Sequence, residues 1–239
     1  MEVSDFKFGF SPIYVNALSK FISKNDVRHH MRGISIKPHP CGGVILSATD
    51  GSSLVTIHDD LGFSDGEYII PISAKFIAAA KEKHSKPVPS QSILYDGKQL
   101  FITIFGLDHD KDLELDADTV LHTEFAKEID GRFPHLGSIF EDLNPIPTQR
   151  IGLDPKLFGR LKHCTDAGKY YGAECYFFGE YNSLISISGT KRQFVTVIMP
   201  MRLDQSKSTF ELPSHAKVHV DLYHAHKAAL DAEKLDKAA

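Results

Sequence analysis

The predicted secondary structure follows one order three times: a strand, a helix and then several strands. The first unit begins with an alternating apolar strand at residues 3–10, the second with a strand at 66–71, and the third at residues 150–154. The sequences of the three units show no visible similarity, so the repeat is one of pattern only. The repeated order therefore limits the fold to one built from similar strand and helix units.

Each predicted helix has a start signal. Ser11 precedes Pro12 at the first helix, and Ser73 and Asp154 precede the second and the third. Apolar residues form one stripe along each helix, which indicates one face turned to a core. The predicted helices occupy residues 11–24, 73–86 and 155–167.

Composition indicates an ordinary soluble globular chain of 239 residues, with 42% hydrophobic and 24% charged residues. No apolar run is long enough to span a membrane, and the N-terminus lacks a signal-peptide core, so we expect a cytoplasmic protein with no membrane partner. The three cysteines are widely spaced, which favours free thiols. The net charge of −4 argues against tight coating of nucleic acid but allows a local basic face.

Two groups of residues could supply ligands for a metal ion. Acidic residues alternate over residues 108–118, but the spacing lacks the glycine and the terminal glutamate of a calcium loop, so an exposed strand face is favoured. Histidines occur in pairs without an acid or thiol placed to complete a metal shell, so we expect solvated side chains and no metal. They are His29, His30, His215, His219, His224 and His226.

An enzyme is not indicated by the remaining polar motifs. Asp50 could be a catalytic carboxylate, but Thr-Asp-Gly between two strands is more simply a tight turn in which Gly51 has positive φ. No nucleophile, base and orienting group occur together, and no nucleotide-binding glycine pattern is present. We therefore expect no catalytic residues and no cofactor.

The polar faces of the three helices are basic in a chain that is acidic as a whole. Such segregation of charge suits a surface that rests loosely on phosphates, although a solvated face is the simpler interpretation for any one helix. The residues expected to face DNA are Lys20, Lys24, Lys75, Lys83, Lys86, Lys156 and Arg160.

Five stretches, in one order along the chain, resemble the DNA polymerase III beta subunit, the bacterial sliding clamp. They include Asp-Val-Arg at the start of 26–36, Ala-Thr-Asp-Gly within 46–54, and Asp-Gly-Arg-Phe-Pro at the start of 130–139. The others are residues 68–76 and the Met-Pro-Met-Arg-Leu that ends 197–203. The resemblance implies an α+β, DNA-clamp-like fold with antiparallel sheets and helices on one face.

The resemblance also implies a domain organisation. Residues 1–128 would form one complete clamp-like domain of two units, 129–149 a linker, and 150–203 half a domain. The family's first domain and the first half of its third have no counterpart, which would fit a shortened form from a phage or mobile element. The family ends at Met-Pro-Met-Arg-Leu, so residues 204–239 are an extension, predicted as a strand at 217–222 and a helix at 223–235.

In the family, the terminal strand lines a hydrophobic groove in which polymerases and repair proteins dock a short peptide. The resemblance places the corresponding groove at Arg28, Met31, Thr49, Gly51, Leu54, Pro134, Ile139, Tyr181, Ser183, Val197 and Met199. Methionine suits such a site because its flexible thioether adapts to varied apolar partners. We expect Met201 to fill core instead. Ser52, Ser53 and Ser138 stand where the family has polar or basic residues, so the partner is expected to differ.

The function implied is that of a processivity or docking factor with no enzymatic activity. Its expected partners are double-stranded DNA, held loosely and without sequence preference, and a polymerase or repair protein; a homo-oligomer is also allowed. The alternative is a clamp-derived protein-binding module that forms no ring and acts as a decoy or clamp regulator.

Overall fold

Two antiparallel β-sheets dominate the structure, which is a computed structural model. Met1–Arg202 form one compact unit and Leu203–Ala239 a second. The structure describes residues 5–23, 27–81, 91–107, 118–141, 143–165, 172–204, 210–211 and 213–236.

The five-stranded sheet has the order β5-β1-β7-β8-β9, and the seven-stranded sheet has the order β10-β11-β12-β4-β3-β2-β6. Every pairing between neighbouring strands is antiparallel. The strands are β1 Phe8–Phe10, β2 Ile34–Pro38, β3 Val44–Thr49, β4 Ser53–Asp59, β5 Phe63–Ser64, β6 Tyr68–Ile70, β7 Ser92–Tyr95, β8 Gln99–Thr103, β9 Val120–Phe125, β10 Ala173–Tyr176, β11 Leu184–Ser188 and β12 Phe194–Ile198.

The helical segments are short except for the last one. They are α1 Val15–Leu18, α2 Ala74–Lys81, α3 Gly137–Phe140, α4 Pro155–Phe158 and α5 Ser214–Asp236. Turns of 3₁₀ helix lie at Pro12–Tyr14, before α1, at His29–Arg32, and at Gly159–His163, after α4. The predicted α+β architecture with antiparallel sheets is confirmed. No helix among the described residues is long and apolar enough to cross a membrane.

The first two units exchange their opening strands. β1, from the first unit, lies in the sheet of β7–β9, and β6, from the second unit, lies beside β2 in the other sheet. One apolar cluster takes Phe8 from one sheet, Leu46 from the other, and Leu18 and Phe76 from helices α1 and α2. Because burying one such side chain contributes roughly 1.5–3 kcal/mol, this cluster fixes both helices against both sheets.

The first helix is shorter than predicted. Residues 12–14 form a 3₁₀ turn, and the α-helix ends at Leu18. The Ser11 side chain makes no capping bond; its N–H donates instead to the Asp59 carboxylate at 2.7 Å. The Ser19 hydroxyl donates to the carbonyl of Asn16, a local bond that competes with continued helix.

The other predicted caps are confirmed. The Phe76 N–H donates to Ser73 Oγ at 3.0 Å, and the Lys156 N–H donates to Asp154 Oδ1 at 2.7 Å. The third predicted helix changes to 3₁₀ form after Phe158 and ends at His163, so it is also shorter than the predicted segment.

The predicted strand at 217–222 is wrong, because helix α5 runs through it without a break. Alternating apolar and polar residues favoured a strand, but they stand in a long stretch of Ala, Lys, Leu and Glu that favours helix. Pro213 opens the helix, since its carbonyl accepts from the N–H of Ala216 and of Lys217.

The third unit joins the sheet of the first unit. β12 pairs with β4, so β10–β12 extend the seven-stranded sheet. The strand predicted at residues 150–154 is reduced to an isolated bridge between Gly152 and Met201. The domain boundaries after residues 128 and 149 remain predictions.

We expect Ser73→Ala to destabilise the protein by about 1 kcal/mol, the usual cost of losing a helix N-cap. The Ser73 hydroxyl accepts from Phe76 and donates to Glu124 Oε2 at 2.5 Å, so it joins α2 to β9. Urea unfolding measures the effect. Ser73→Thr keeps a hydroxyl and should lose much less; equal losses in the two variants would contradict this role.

Candidate functional site

The turn between β3 and β4 is built as the sequence predicted. Gly51 has a φ of +87°, and Asp50 Oδ1 accepts from the N–H groups of Ser52 at 3.0 Å and Ser53 at 2.9 Å. A β-carbon added to Gly51 would lie 2.9 Å from Arg28 Nη2 and 3.4 Å from Met31 Cε. Arg28 and Met31, predicted groove residues, therefore lie beside this turn.

The side chains around the turn differ in exposure. Met31 is buried in the 3₁₀ turn His29–Arg32, whereas Arg28 is exposed. Thr49 is also buried; its hydroxyl donates to the Ser53 carbonyl at 2.8 Å and accepts from the Gly51 N–H at 3.1 Å. These bonds hold the turn rigid with Arg28 at its outer side.

Pairing of β4 with β12 forms an apolar cluster beside the turn. Leu54 lies opposite Val197 in the ladder, and both pack with Ile185 of β11. Ile139 of α3 and Phe178 pack against these three, along with Leu136, Phe140, Ile187 and Val195. Three predicted groove residues, Leu54, Ile139 and Val197, are thus brought together from distant parts of the sequence.

A depression of about 430 Å³ lies over this cluster, and we call it the groove. Met199 forms part of its wall and is 49% exposed. Ser183 Oγ donates to Met199 Sδ at 3.0 Å, and the Met199 N–H donates to the Ser52 carbonyl at 3.0 Å. The groove is lined by Ser138, Ile139, Glu141, Leu143, Asn144, Phe178, Asn182, Ser183, Ile185 and Met199.

The predicted groove residues thus fall into several groups. Ile139, Ser183 and Met199 line the groove, while Leu54 and Val197 are buried beneath it. Tyr181 is exposed on the loop that leads to Ser183. Pro134 instead lines a separate depression beside β6.

Burial corrects two expectations about single residues. Leu54 is only 3% exposed, so it supports the groove from below rather than meeting a ligand. Met201 was expected in the core, but it is 53% exposed, and its N–H donates to the carbonyl of Gly152. The sequence analysis did not identify Phe178 and Ile185, whose aromatic and β-branched strand segments were the available signal.

The second predicted site is the basic face of the helices, which was expected to contact DNA. α1 contacts both α2 and the 3₁₀ turn Gly159–His163, so segments of all three units lie side by side. Burial lowers the pKa of His163, and the charges of Lys20, Lys162 and Lys81 lower it further. Lysines from three separate segments therefore surround one histidine, and two of them, Lys81 and Lys162, were not among the predicted DNA-facing residues.

Arg160 was expected to face DNA, but its side chain is bound within the protein. Its Nη1 lies 2.5 Å from Asp50 Oδ2 and 2.5 Å from Ser53 Oγ, and its guanidinium stacks over the Phe21 ring. Both charged side chains are mostly buried, so this pair fastens the third unit to the β3–β4 turn. Arg160 is engaged here rather than presented to a phosphate.

The other predicted DNA-facing residues are less constrained. Lys75 and Lys156 are exposed, and Lys20 is partly buried. Lys24, Lys83 and Lys86 lie outside the described residues, as does most of the acidic string at 108–118.

Two observations in the described residues bear on metal binding and on thiol reactivity. No group of three or more His, Cys, Asp or Glu side chains is arranged there to hold a metal ion. Burial raises the pKa of Cys164 to about 11, which keeps this thiol protonated and unreactive at neutral pH.

The two antiparallel sheets and their helices define the fold of a DNA clamp. The chain is similar to the DNA polymerase III subunit beta of Borrelia burgdorferi, with a TM-score of 0.51 and 14% identity over 85% of this chain and 65% of that chain. It is also similar to the DNA polymerase sliding clamp of Bacillus subtilis, with a TM-score of 0.54 and 14% identity over 82% and 64% of the two chains. For the beta subunit of Thermotoga maritima the values are 0.52, 12%, 83% and 66%.

These comparisons establish the fold and confirm the resemblance to DNA polymerase III beta subunits in a shortened form. The chain spans less than two thirds of the length of the Borrelia and Bacillus proteins. No protein-family model and no curated protein matches the sequence.

We expect His163→Gln to reduce the loss of stability on acidification. The pKa of His163 is lowered in the folded protein, so below about pH 6.5 the unfolded chain binds the proton more readily. The free energy of unfolding therefore decreases as the pH is lowered through this range. Urea unfolding at pH 7.5 and pH 5.5 should show a smaller difference for the variant than for the parent.

A matched control removes a neighbouring charge instead. Lys162→Gln should raise the pKa of His163 and also reduce the loss on acidification, though by less. An unchanged pH dependence in both variants would contradict the proposed environment of His163.

Proposed function

We propose that this protein is a clamp-like docking factor in DNA replication or repair. In this proposal the groove holds a short linear peptide of a polymerase or repair protein, and the basic helical segments rest on double-stranded DNA. The protein performs no catalysis, needs no cofactor, and acts in the cytoplasm.

The groove carries the proposal. Its floor is a buried cluster that includes Leu54, Ile185 and Val197, and its wall includes the half-exposed Met199. The volume of about 430 Å³ falls within the range of roughly 300–1,000 Å³ usual for ligand sites. A rigid apolar floor with one flexible methionine suits an apolar side chain of a peptide, because the thioether can adjust to the shape of the anchor.

The rim of the groove is polar and carries little charge. Ser138, Asn144, Asn182 and Ser183 supply hydrogen-bonding groups, and Glu141 is the charged residue among the described lining. Peptide backbone and amide groups would bond to such a rim. Where the family has basic residues near the groove, this chain has serines, so we propose a partner peptide without the strong acidic character that a basic rim favours.

The basic segments support loose DNA binding. Lys81 of α2, Lys162 of the 3₁₀ turn Gly159–His163 and Lys20, which follows α1, act together on His163, and α1 contacts both of the other segments. Spread lysines attract the phosphate backbone without reading bases, which is the behaviour a sequence-independent docking factor needs. With its peptide in the groove, a polymerase would be held at high effective concentration near the template.

A clamp-derived module that forms no ring is the second candidate. It is favoured by the placement of Arg160, which is held by Asp50 and Ser53 instead of being presented to a phosphate. The two candidates differ in their behaviour on DNA. A closed assembly would stay on circular DNA and slide off after linearisation, whereas a module without a ring would show no such difference.

Met199→Ala should weaken binding of a clamp-motif peptide about thirtyfold, which corresponds to about 2 kcal/mol for a central anchor contact. Met199 is half exposed, so the fold should survive the substitution. Isothermal titration calorimetry or fluorescence anisotropy measures the change in affinity.

The control is Met201→Ala, a neighbouring methionine with similar exposure that contacts Gly152 through its backbone. It should bind the peptide like the parent protein. Equal affinity in the two variants would exclude Met199 as an anchor and remove the main support for the proposal.

Charge reversal tests the DNA surface. The double variant Lys81→Glu, Lys162→Glu should bind DNA more weakly, and the slope of log K against log salt concentration should fall by about 2, because roughly 0.9 counterions are released per phosphate contact. The control Lys98→Glu, Lys127→Glu changes the net charge equally at exposed positions next to strands β8 and β9. Similar slopes in both double variants would argue against a specific basic face.

A further inference from the structure

Three polar side chains at the rim of the groove present hydrogen-bond acceptors. The Ser183 hydroxyl gives its only hydrogen to Met199 Sδ at 3.0 Å, so its oxygen can serve a ligand only as an acceptor. Asn182 Nδ2 donates to the Phe178 carbonyl at 2.6 Å, and the oxygen of that carboxamide is a second acceptor. Glu141 is exposed, and its ionised carboxylate accepts but cannot donate. These three side chains are complemented by hydrogen-bond donors.

The chain segments that line the groove contain no lysine or arginine. These segments are residues 133–149, 172–190 and 193–201, and the first two contain acidic residues. Among the described lining residues, Glu141 is the charged one. The described lysines, arginines and histidines form no ion pair with it. The charge at the groove is therefore negative and is not balanced within the described part of the chain.

The arginines of the surrounding structure do not offset this charge. Arg160 is held by Asp50 beneath the β3–β4 turn. Arg150 Nε lies 3.0 Å from Glu180 Oε1, so that cation already has an acidic partner. Arg28 lies beside the β3–β4 turn and is not part of the described lining of the groove. A cation that pairs with the rim would therefore come from a ligand.

We propose that Glu141 selects a docking peptide that carries a basic residue, best an arginine, next to its apolar anchor. This inference rests on the proposed peptide-binding function of the groove. The anchor lies against Met199, and the neighbouring guanidinium donates to the Glu141 carboxylate and to the acceptors of Asn182 and Ser183. Arginine suits this rim because its planar guanidinium presents five N–H donors and no acceptor.

The same rim disfavours an acidic peptide. A carboxylate next to the anchor would meet the like charge of Glu141, and it would bring no donor to the acceptors of Asn182 and Ser183. Because specificity is a difference of affinities, this repulsion contributes to partner choice as the attraction does. An exposed ion pair contributes modestly, so we expect a preference of about threefold for each change of one charge.

Three versions of one clamp-motif peptide test the proposal, with Arg, Gln or Glu at both positions that flank the apolar anchor. The parent protein should bind the Arg version about threefold or more tighter than the Gln version, and the Glu version weakest. Glu141→Gln should remove this preference, and Glu141→Lys should reverse it. Fluorescence anisotropy measures the affinities, and the differences should shrink at high salt because exposed charges are screened.

Glu128→Lys is the matched control. Glu128 is exposed and lines the separate depression beside β6, so this variant changes the net charge as Glu141→Lys does and should keep the parent order. Equal affinities of the three peptides for the parent, with binding still weakened by Met199→Ala, would overturn this inference alone. A parent order retained in Glu141→Lys would overturn it as well. If none of the three peptides bound, the proposed function would fail together with it.

Discussion

The antiparallel pairing of β4 with β12 is the interaction on which the site depends. It joins the third unit to the first across more than a hundred residues of sequence, and it places Leu54 opposite Val197. Both strands are mostly buried, so the ladder lies inside the seven-stranded sheet rather than at an edge. As β12 ends, the Met199 N–H bonds to the Ser52 carbonyl, which carries the methionine side chain to the rim of the groove.

The ion pair of Asp50 with Arg160 adds a second connection at the same place. Asp50 shapes its own turn with one carboxylate oxygen and holds Arg160 with the other. Ser53, which stands where the family has a basic residue, accepts from the same guanidinium. A cation is thus still present at this turn, but it comes from the third unit, where it stabilises the junction and is withdrawn from the groove surface.

Features that depend on local chemistry were predictable from the sequence. The Thr-Asp-Gly turn, the Ser73 and Asp154 caps, and most strands follow from side-chain hydrogen bonds and apolar alternation. The errors concern properties that packing decides. Contacts with residues far away in sequence decide three of these properties, and no local pattern contains them. They are the burial of Leu54, the exposure of Met201 and the ion pair of Arg160 with Asp50. Helix α5 shows the opposite case, in which a short alternating pattern is overridden by the helical preference of its flanks.

Methyl NMR of the methionines tests the proposed docking role most directly. The chain has four methionines, and ¹³C-methyl labelling with the two alanine variants for assignment distinguishes Met199 from Met201. On titration with a clamp-motif peptide, the account predicts a large shift of the Met199 signal and an unchanged Met201 signal. A peptide that binds while the Met199 signal stays in place, or that shifts Met201 instead, would contradict it.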